Sequence, residues 1–390
     1  MSSRLAIVAS HLIQYQDPLF RLIAREPDIE LEVLYCSRHG LDVFHDADMA
    51  TSLRWDIEML GYPHRFLWNA SRDLNRGFWR LINPGIVPAL ARGGYDAVIF
   101  MTGWGSFSAM LGMAACRLLR IPFFVYGDSS FPPPEDTPKR RIRAGLMRML
   151  FGLTDGFMVS GALNADYYRH YGADPSRFFL LPWAVDNERY AAACALAPGE
   201  REAMRARFGI KPDQVLMIFS AKLVPRKDPM TLLRAVAQMQ HRQRAAVLFL
   251  GDGELRAELE SFGLPNAHFA GFINQTELPK YYAIGDVFVL PSLYEPRGAV
   301  INEAMVCGLP VVVTDRCGSI GDIVIDGDNS FIYPAGDASA LAAILDRLVA
   351  DNALRARMGH RSREIIATWD FARGVEGVRK MLEWVKAKNG

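Results

Sequence analysis

Short apolar runs ending in Gly, Ser or Asp recur along the chain, each followed by a longer stretch with apolar positions at helical spacing. They read "LAIVAS", "DAVIFMTG", "IPFFVYGDS" and "GFMVSG" in the first half, then "VLMIFSAK", "AVLFLGDG", "DVFVLPS" and "PVVVTD" in the second. A strand with one wet face alternates apolar and polar residues, whereas a strand covered on both faces is apolar throughout. The pattern therefore predicts a parallel α/β architecture. The polar, alanine-rich stretch "VDNERYAAACALAPGEREAMRARFG", residues 185–209, interrupts the rhythm and marks a joint between two doubly wound domains. In such sheets ligands sit beyond the carboxyl ends of the strands, so the residues just after each apolar run are the place to look for chemistry.

Composition agrees with two domains, because 390 residues exceed what one hydrophobic core supports. With 44 basic and 43 acidic residues the net charge is +1, so nothing global steers the chain toward nucleic acid, and electrostatic specificity must be local. The five cysteines are odd in number, scattered and without a Cys-x-x-Cys pair, which argues against a disulfide framework and a zinc site and in favour of a reducing compartment. "RLAIVAS" near the start reads as a strand rather than a leader, and no apolar run is long enough to span a bilayer. A cytoplasmic protein is expected.

The second half carries the sharpest constellation. "SLYEPRGAVINEAMVCGLP", residues 292–310, reads as the end of a strand, a turn and a helix that opens at Gly298. A residue without a side chain at a helix start lets a ligand reach the first unsatisfied N–H groups, which form an anion site. "FSAKLVPRKDP" places Lys222, Arg226 and Lys227 just beyond another strand on the same sheet edge. Three cations beside a helix N-terminus suit a diphosphate without a metal ion, although a solvated basic turn is the plainer alternative. With phosphate seated there, Glu295 and Glu303 are placed to accept hydrogen bonds from hydroxyl groups, one on a ribose and the other on a sugar. Helical geometry puts Glu303 beside the apolar stripe of Val300, Ile301, Ala304 and Met305, not within it.

"ELPKYYAIGDVFVLPSLYEPRGAVINEAMVCGLPVVVTDRCGSIGDIVIDGDNS" resembles the donor-binding segment of the retaining family 4 glycosyltransferases, with its Glu-x7-Glu motif. "SAKLVPRKDP" resembles that family's Gly-Arg-Leu-x-x-x-Lys-Gly element, and "LFLGDGELR" its Gly-Asp-Gly turn. The likeness is strong over about residues 215–340 and loose over the first 180. It implies a GT-B fold, two Rossmann-like domains facing a central cleft: residues 1–190 for the acceptor, residues 200–367 for a nucleotide-sugar donor, and a helix at about 368–390 returning to the first domain.

By the same resemblance Glu295 binds donor hexose hydroxyls and Glu303 the ribose. Lys222, Lys227 and the Gly298 and Ala299 amides, with Val300 beside them, hold the diphosphate, and backbone near Phe272 and Ile273 meets the base. It also implies front-face transfer with retention, no metal and no cofactor. The acceptor would be a glycan or lipid-linked molecule of surface polysaccharide or glycoconjugate synthesis. Lys222 stands where arginine is usual, Arg297 where an aromatic is common, and Asp322 where glutamate is frequent. Arg297 is the departure expected to bear on sugar preference.

The first half is read more loosely. His11 follows the first strand as a candidate phosphate or acceptor contact, against a solvated loop histidine. Gly103-Trp104-Gly105 approaches a dinucleotide fingerprint but has Ser108 in the third glycine's place, and close packing explains it equally well. Asp128 ends a strand near where relatives carry a histidine facing the reacting sugar; a helix N-cap is the alternative. Residues 139–152, "KRRIRAGLMRMLFG", set Ile142, Leu146, Met149 and Leu150 at helical spacing among basic residues. That fits a helix lying on the anionic inner face of a membrane, or a core-packed helix with a basic outer side. Asp46-x-Asp48 looks like a metal–diphosphate motif but reads as a surface loop. Three other functions compete with transfer: glycoside hydrolysis by the two glutamates, a dehydrogenase using the Gly103 loop with Asp128 on the ribose, and a non-catalytic sugar-nucleotide-binding subunit.

Overall fold

All eight apolar runs are strands in the computed structural model, which describes residues 2–389 apart from 42, 47, 50, 72–76 and 134–135. The strands are β1 (Ser3–Ala9), β2 (Ile29–Tyr35), β3 (Phe44–Asp46), β4 (Thr51–Leu53), β5 (His64–Phe66), β6 (Ala97–Met101), β7 (Phe123–Tyr126), β8 (Gly156–Val159), β9 (Phe178–Leu180), β10 (Val215–Ser220), β11 (Ala245–Leu250), β12 (Ala267–Gly271), β13 (Val287–Leu290), β14 (Val311–Thr314) and β15 (Ser330–Tyr333). The chain divides into two compact units. Unit 1 comprises residues 1–44, 58–183 and 371–390; unit 2 comprises residues 45–57 and 184–370.

Unit 1 is built on a parallel sheet of order β5-β2-β1-β6-β7-β8-β9. The chain winds outward from β1 to β2 and β5, then returns to lay β6 on the other side of β1, so the winding reverses between β1 and β6. Helix Phe371–Asn389 packs on β9 and on helix Asp17–Arg25. It lies close because Gly377 has no side chain: a Cβ there would come within 1.7 Å of the Leu180 carbonyl oxygen.

Unit 2 repeats the scheme with the parallel order β12-β11-β10-β13-β14-β15, reversing between β10 and β13. β10 and β11 are buried along their whole length, as continuous apolar runs require. Segment 45–57, with most of a two-stranded β3–β4 ribbon, is an excursion into this unit that nothing in the sequence announces.

The two units fix strand register in the same way, with an aspartate just before a strand. Asp96, ahead of β6, accepts the Arg4 N–H at 2.7 Å, and Asp286, ahead of β13, accepts the Leu216 N–H at 2.7 Å. Each of these aspartates also donates its own N–H to the carbonyl of the same residue, at 2.8 Å. Both locks sit at the amino ends of the strands and leave the carboxyl ends clear. Asp286 is further held by Arg201 at 2.7 Å and the buried Arg205 at 3.4 Å.

One expectation is overturned. Cys194 and Cys307, 113 positions apart, form a disulfide with Cα atoms 5.7 Å apart. They end helices Asn187–Ala193 and Ala299–Val306, which pack together, and sequence spacing carries no trace of that tertiary contact. Cys36, Cys116 and Cys317 are buried free thiols that burial pushes up to about 12, so they remain protonated. Among the described residues no helix is long and apolar enough to cross a membrane.

Removing the Asp286 carboxylate leaves a buried N–H and a buried guanidinium without their acceptor, so Asp286→Ala is expected to cost about 2–4 kcal/mol. Chemical denaturation followed by circular dichroism checks this, with Asp286→Asn falling between the variant and wild type.

Candidate functional site

The reversal between β10 and β13 sets two loops side by side at the carboxyl edge of the unit 2 sheet. The first, after β10, carries Lys222 and a 3-10 turn, Pro225–Lys227. The second, after β13, carries Glu295 to Gly298 and enters helix Ala299–Val306. They are laced together: the Leu293 N–H donates to the Arg226 carbonyl at 3.0 Å, and the Arg226 guanidinium to the Tyr294 carbonyl at 3.2 Å. Gly298 stands at the helix start with φ +75°, and no side chain caps the first amides. A Cβ there would crowd Ile301 at 2.9 Å and Glu295 at 3.1 Å, on top of left-handed strain. Ala299 and Val300 are partly exposed at this end.

Lys227 and Glu295, given separate parts by the sequence, form an ion pair here, both side chains largely buried. The Glu295 backbone is fixed as well, taking the Arg316 carbonyl at 3.0 Å and the Gly318 N–H at 2.8 Å. Glu303 departs from expectation. It is fully buried in a helix whose residues 301–306 are all buried, and its carboxylate accepts the Tyr282 hydroxyl at 2.7 Å. Tyr282 was not singled out in the sequence, where it is one apolar position among many in "LPKYYAIGD".

Arg297 is also buried, and its guanidinium points inward. It donates to the Gly318 carbonyl at 2.7 Å and pairs with Asp322 at 2.9 Å. Two of the three departures from the family pattern are therefore partners: the cation at 297 is matched by the shorter acid at 322. The pair ties the 316–322 loop to the Glu295 turn, which makes Arg297 a brace of the turn.

Phe272 and Ile273 follow β12 and are partly buried. Segment 45–57 lies over these same elements of unit 2. Lys222 Nζ donates to Asp46 at 2.9 Å and to Asp48 at 2.8 Å. The Trp55 ring is 6.4 Å from Phe272, the Asn274 amide donates to the Arg54 carbonyl at 2.7 Å, and the Thr276 N–H to Asp56 at 3.2 Å. Burial works to lower the Lys222 pKa, but the hydrogen bonds and charges of Asp46 and Asp48 outweigh it and hold the ammonium above its ordinary value. Asp46-x-Asp48, read as a surface loop, is thus tied to a site residue. Among the described residues no group of three or more His, Cys, Asp or Glu side chains could hold a metal ion.

In unit 1, His11 and the Gly103–Trp104 loop follow β1 and β6, the strands flanking that unit's own reversal. Burial, together with the charges of His39 and Arg80, lowers the His11 pKa to about 4, so the ring is neutral at pH 7. Gly103 adopts φ +66°, and Ser106 caps helix Phe107–Leu119 by accepting the Ala109 N–H at 3.3 Å. Ser108 is buried and exchanges two 2.8 Å hydrogen bonds with Asn83. Trp104 packs on Tyr167 and Phe151, with ring centroids at 6.0 and 5.5 Å. Trp104 anchors the loop, while Gly103 and Gly105 have open space where a side chain would stand, so close packing does not account for these two glycines. Asp128 is exposed directly after β7 and caps no helix, that place being taken by Thr137 ahead of Pro138–Leu153.

That helix differs from the stripe expected of it. Leu150 faces inward with Ala144, Met147 and Phe151, while Ile142, Leu146, Met149 and Leu153 are exposed along the outer side. Both sides of the helix are apolar, and basic side chains flank the exposed row.

Residues 200–365 match the family model described as glycosyl transferases group 1. The chain is 32% identical over 240 residues to a D-inositol 3-phosphate glycosyltransferase of Streptomyces bingchenggensis, covering 57% of this chain and 51% of that protein. It is 34% identical over 309 residues to a sulfoquinovosyl transferase of Arabidopsis thaliana, covering 76% and 58%. Across its curated relatives the chain spans about half of their length. Among solved structures, Anabaena HepE in complex with UDP-glucose superposes with a TM-score of 0.70 at 18% identity, over 97% of this chain and 99% of that one. The two sheets, each reversing after its third strand, are those of the GT-B fold, and residues 200–365 are the part of the chain that matches the glycosyl transferases group 1.

Proposed function

We propose that this protein is a retaining, metal-independent glycosyltransferase. It moves a sugar from a nucleoside-diphosphate donor to a glycan or lipid-linked acceptor in surface polysaccharide or glycoconjugate synthesis. The observation that carries the reading is that Lys222, Lys227 and the uncapped N-terminus at Gly298 lie on adjoining loops where the unit 2 sheet reverses. Two cations and a helix dipole aimed at one place stabilise a departing diphosphate. The curated relatives are named as glycosyltransferases, and the HepE structure holds UDP-glucose, which supports the donor class.

In this scheme Lys227 leaves Glu295 for the phosphate, which releases the Glu295 carboxylate to accept the hexose hydroxyls. Glu303 and its Tyr282 partner stand under the ribose, and the backbone at Phe272 and Ile273 meets the base. The bond between the anomeric carbon and the diphosphate oxygen breaks. The acceptor oxygen bonds that carbon on the same face, and its proton passes to the departing phosphate oxygen. His11, as a neutral hydrogen-bonding ring, and the Gly103–Trp104 loop and Asp128 belong to the acceptor side.

Peripheral attachment to the cytoplasmic face of a membrane is part of the same proposal. The exposed row Ile142, Leu146, Met149 and Leu153 is joined by Leu118, 86% exposed, since Arg117 of that neighbouring helix donates to the Leu153 carbonyl. Apolar side chains in such a row, with arginines around them, suit anionic lipid.

Three outcomes are expected. Lys227→Ala lowers nucleoside-diphosphate release from UDP-, GDP- or dTDP-sugars by about 100-fold or more, while its thermal midpoint falls by only a few degrees. Near-normal turnover in that variant refutes the role. A chelator leaves the rate unchanged, and NMR of the product shows the donor's anomeric configuration; inversion or loss of activity with EDTA refutes the mechanism. Ile142→Ser with Met149→Ser abolishes flotation with phosphatidylglycerol vesicles, and wild type that stays unbound even at low ionic strength removes the membrane part.

A further inference from the structure

We propose that Asp46, Asp48 and Trp55 act as an internal stand-in for the nucleoside diphosphate, lying on the donor seat of unit 2 until the donor displaces them. The inference rests on the reading that Lys222 meets the diphosphate and the Phe272 segment meets the base.

The chemistry matches at both ends. Where a diphosphate would place its negative charge, Lys222 Nζ holds two carboxylates, Asp46 and Asp48, each 2.8 Å away. Where a nucleobase would place its ring, the Trp55 indole lies against Phe272. Between the ring and the flanking loop, Arg54 and Asp56 hold the segment to Asn274 and Thr276 through one backbone carbonyl and one carboxylate. The span from anion pair to ring is covered by a single short segment of chain, residues 45–57, inserted into a unit otherwise made of residues 184–370.

Both sets of anions cannot stay. An ammonium has three N–H donors, and two are already given to the aspartates. A diphosphate brought to the third adds two or more negative charges within a few ångströms of two carboxylates, which repel it strongly in a partly desolvated place. The contact is also made to part. Asp48 is 59% exposed and Lys222 36%, the range in which an ion pair contributes little net stability, while Asp46, 14% exposed, is the firmer partner. The stand-in therefore lowers donor affinity in proportion to how firmly it sits.

Isothermal titration of the full chain with UDP, GDP and dTDP tests this, with circular dichroism confirming that each variant folds. Asp46→Asn with Asp48→Asn is expected to tighten binding of the preferred nucleotide about tenfold, and Trp55→Ala to tighten it independently. Unchanged affinity in both variants overturns the proposal. So does weaker binding of the aspartate variant in the presence of Mg2+, which would make the aspartates ligands of a donor-bound cation. Lys222→Ala separates the underlying reading from the inference: weakened binding in the aspartate-variant background keeps Lys222 as a phosphate contact whatever the aspartates do. No effect of Lys222→Ala there overturns both.

Discussion

Gly298 turns the chain from strand to helix at φ +75°, a conformation that a side chain would strain and would also jam against Ile301 and Glu295. The rest of the unit 2 site depends on that turn. It aims the first amides of helix Ala299–Val306 at the carboxyl edge of the sheet, beside the loop that carries Lys222 and Lys227. Its shape is held from beneath by Arg297, whose buried guanidinium binds Gly318 and Asp322, and by backbone bonds from Glu295 to Arg316 and Gly318. A buried charge without its partner is costly, so Arg297 and Asp322 stand or fall together.

Both lysines of this edge are already paired within the chain. Lys227 holds Glu295, and Lys222 holds Asp46 and Asp48. An ammonium left unmatched in a partly dry place is unfavourable, so lysines in such a position take their counter-charge from within the chain. On the proposed reading, an anion that binds here exchanges partners with these residents rather than filling an empty seat.

The legible features are those that local chemistry dictates. Continuous apolar runs gave the central strands, because a doubly covered parallel strand has no polar face to hide. The Gly298 turn and the lysine loop could be seen because a helix start, a glycine and a cation are each local signals. Short edge strands such as β5 and β9 were not visible, since three residues carry no period. Leu150 was assigned to the exposed row because a single helix gives its spacing but not its orientation, which is set by Ala144, Met147 and Phe151 packing inward. The burial of Glu303, the Arg297–Asp322 pair, the Cys194–Cys307 bond and the excursion at 45–57 all arise from contacts between distant segments. No local spacing rule announces them, even where both partners lie within one quoted stretch.

The chain passes between its two units at residues 44/45, 57/58, 183/184 and 370/371. A ribosome making this protein therefore releases the first unit in an unfinished condition, lacking helix Phe371–Asn389, whose place on β9 stays open while unit 2 is being translated. Unit 2, complete once residue 370 has emerged, has all its segments first. During synthesis the half encoded later therefore has all its segments before the half encoded earlier.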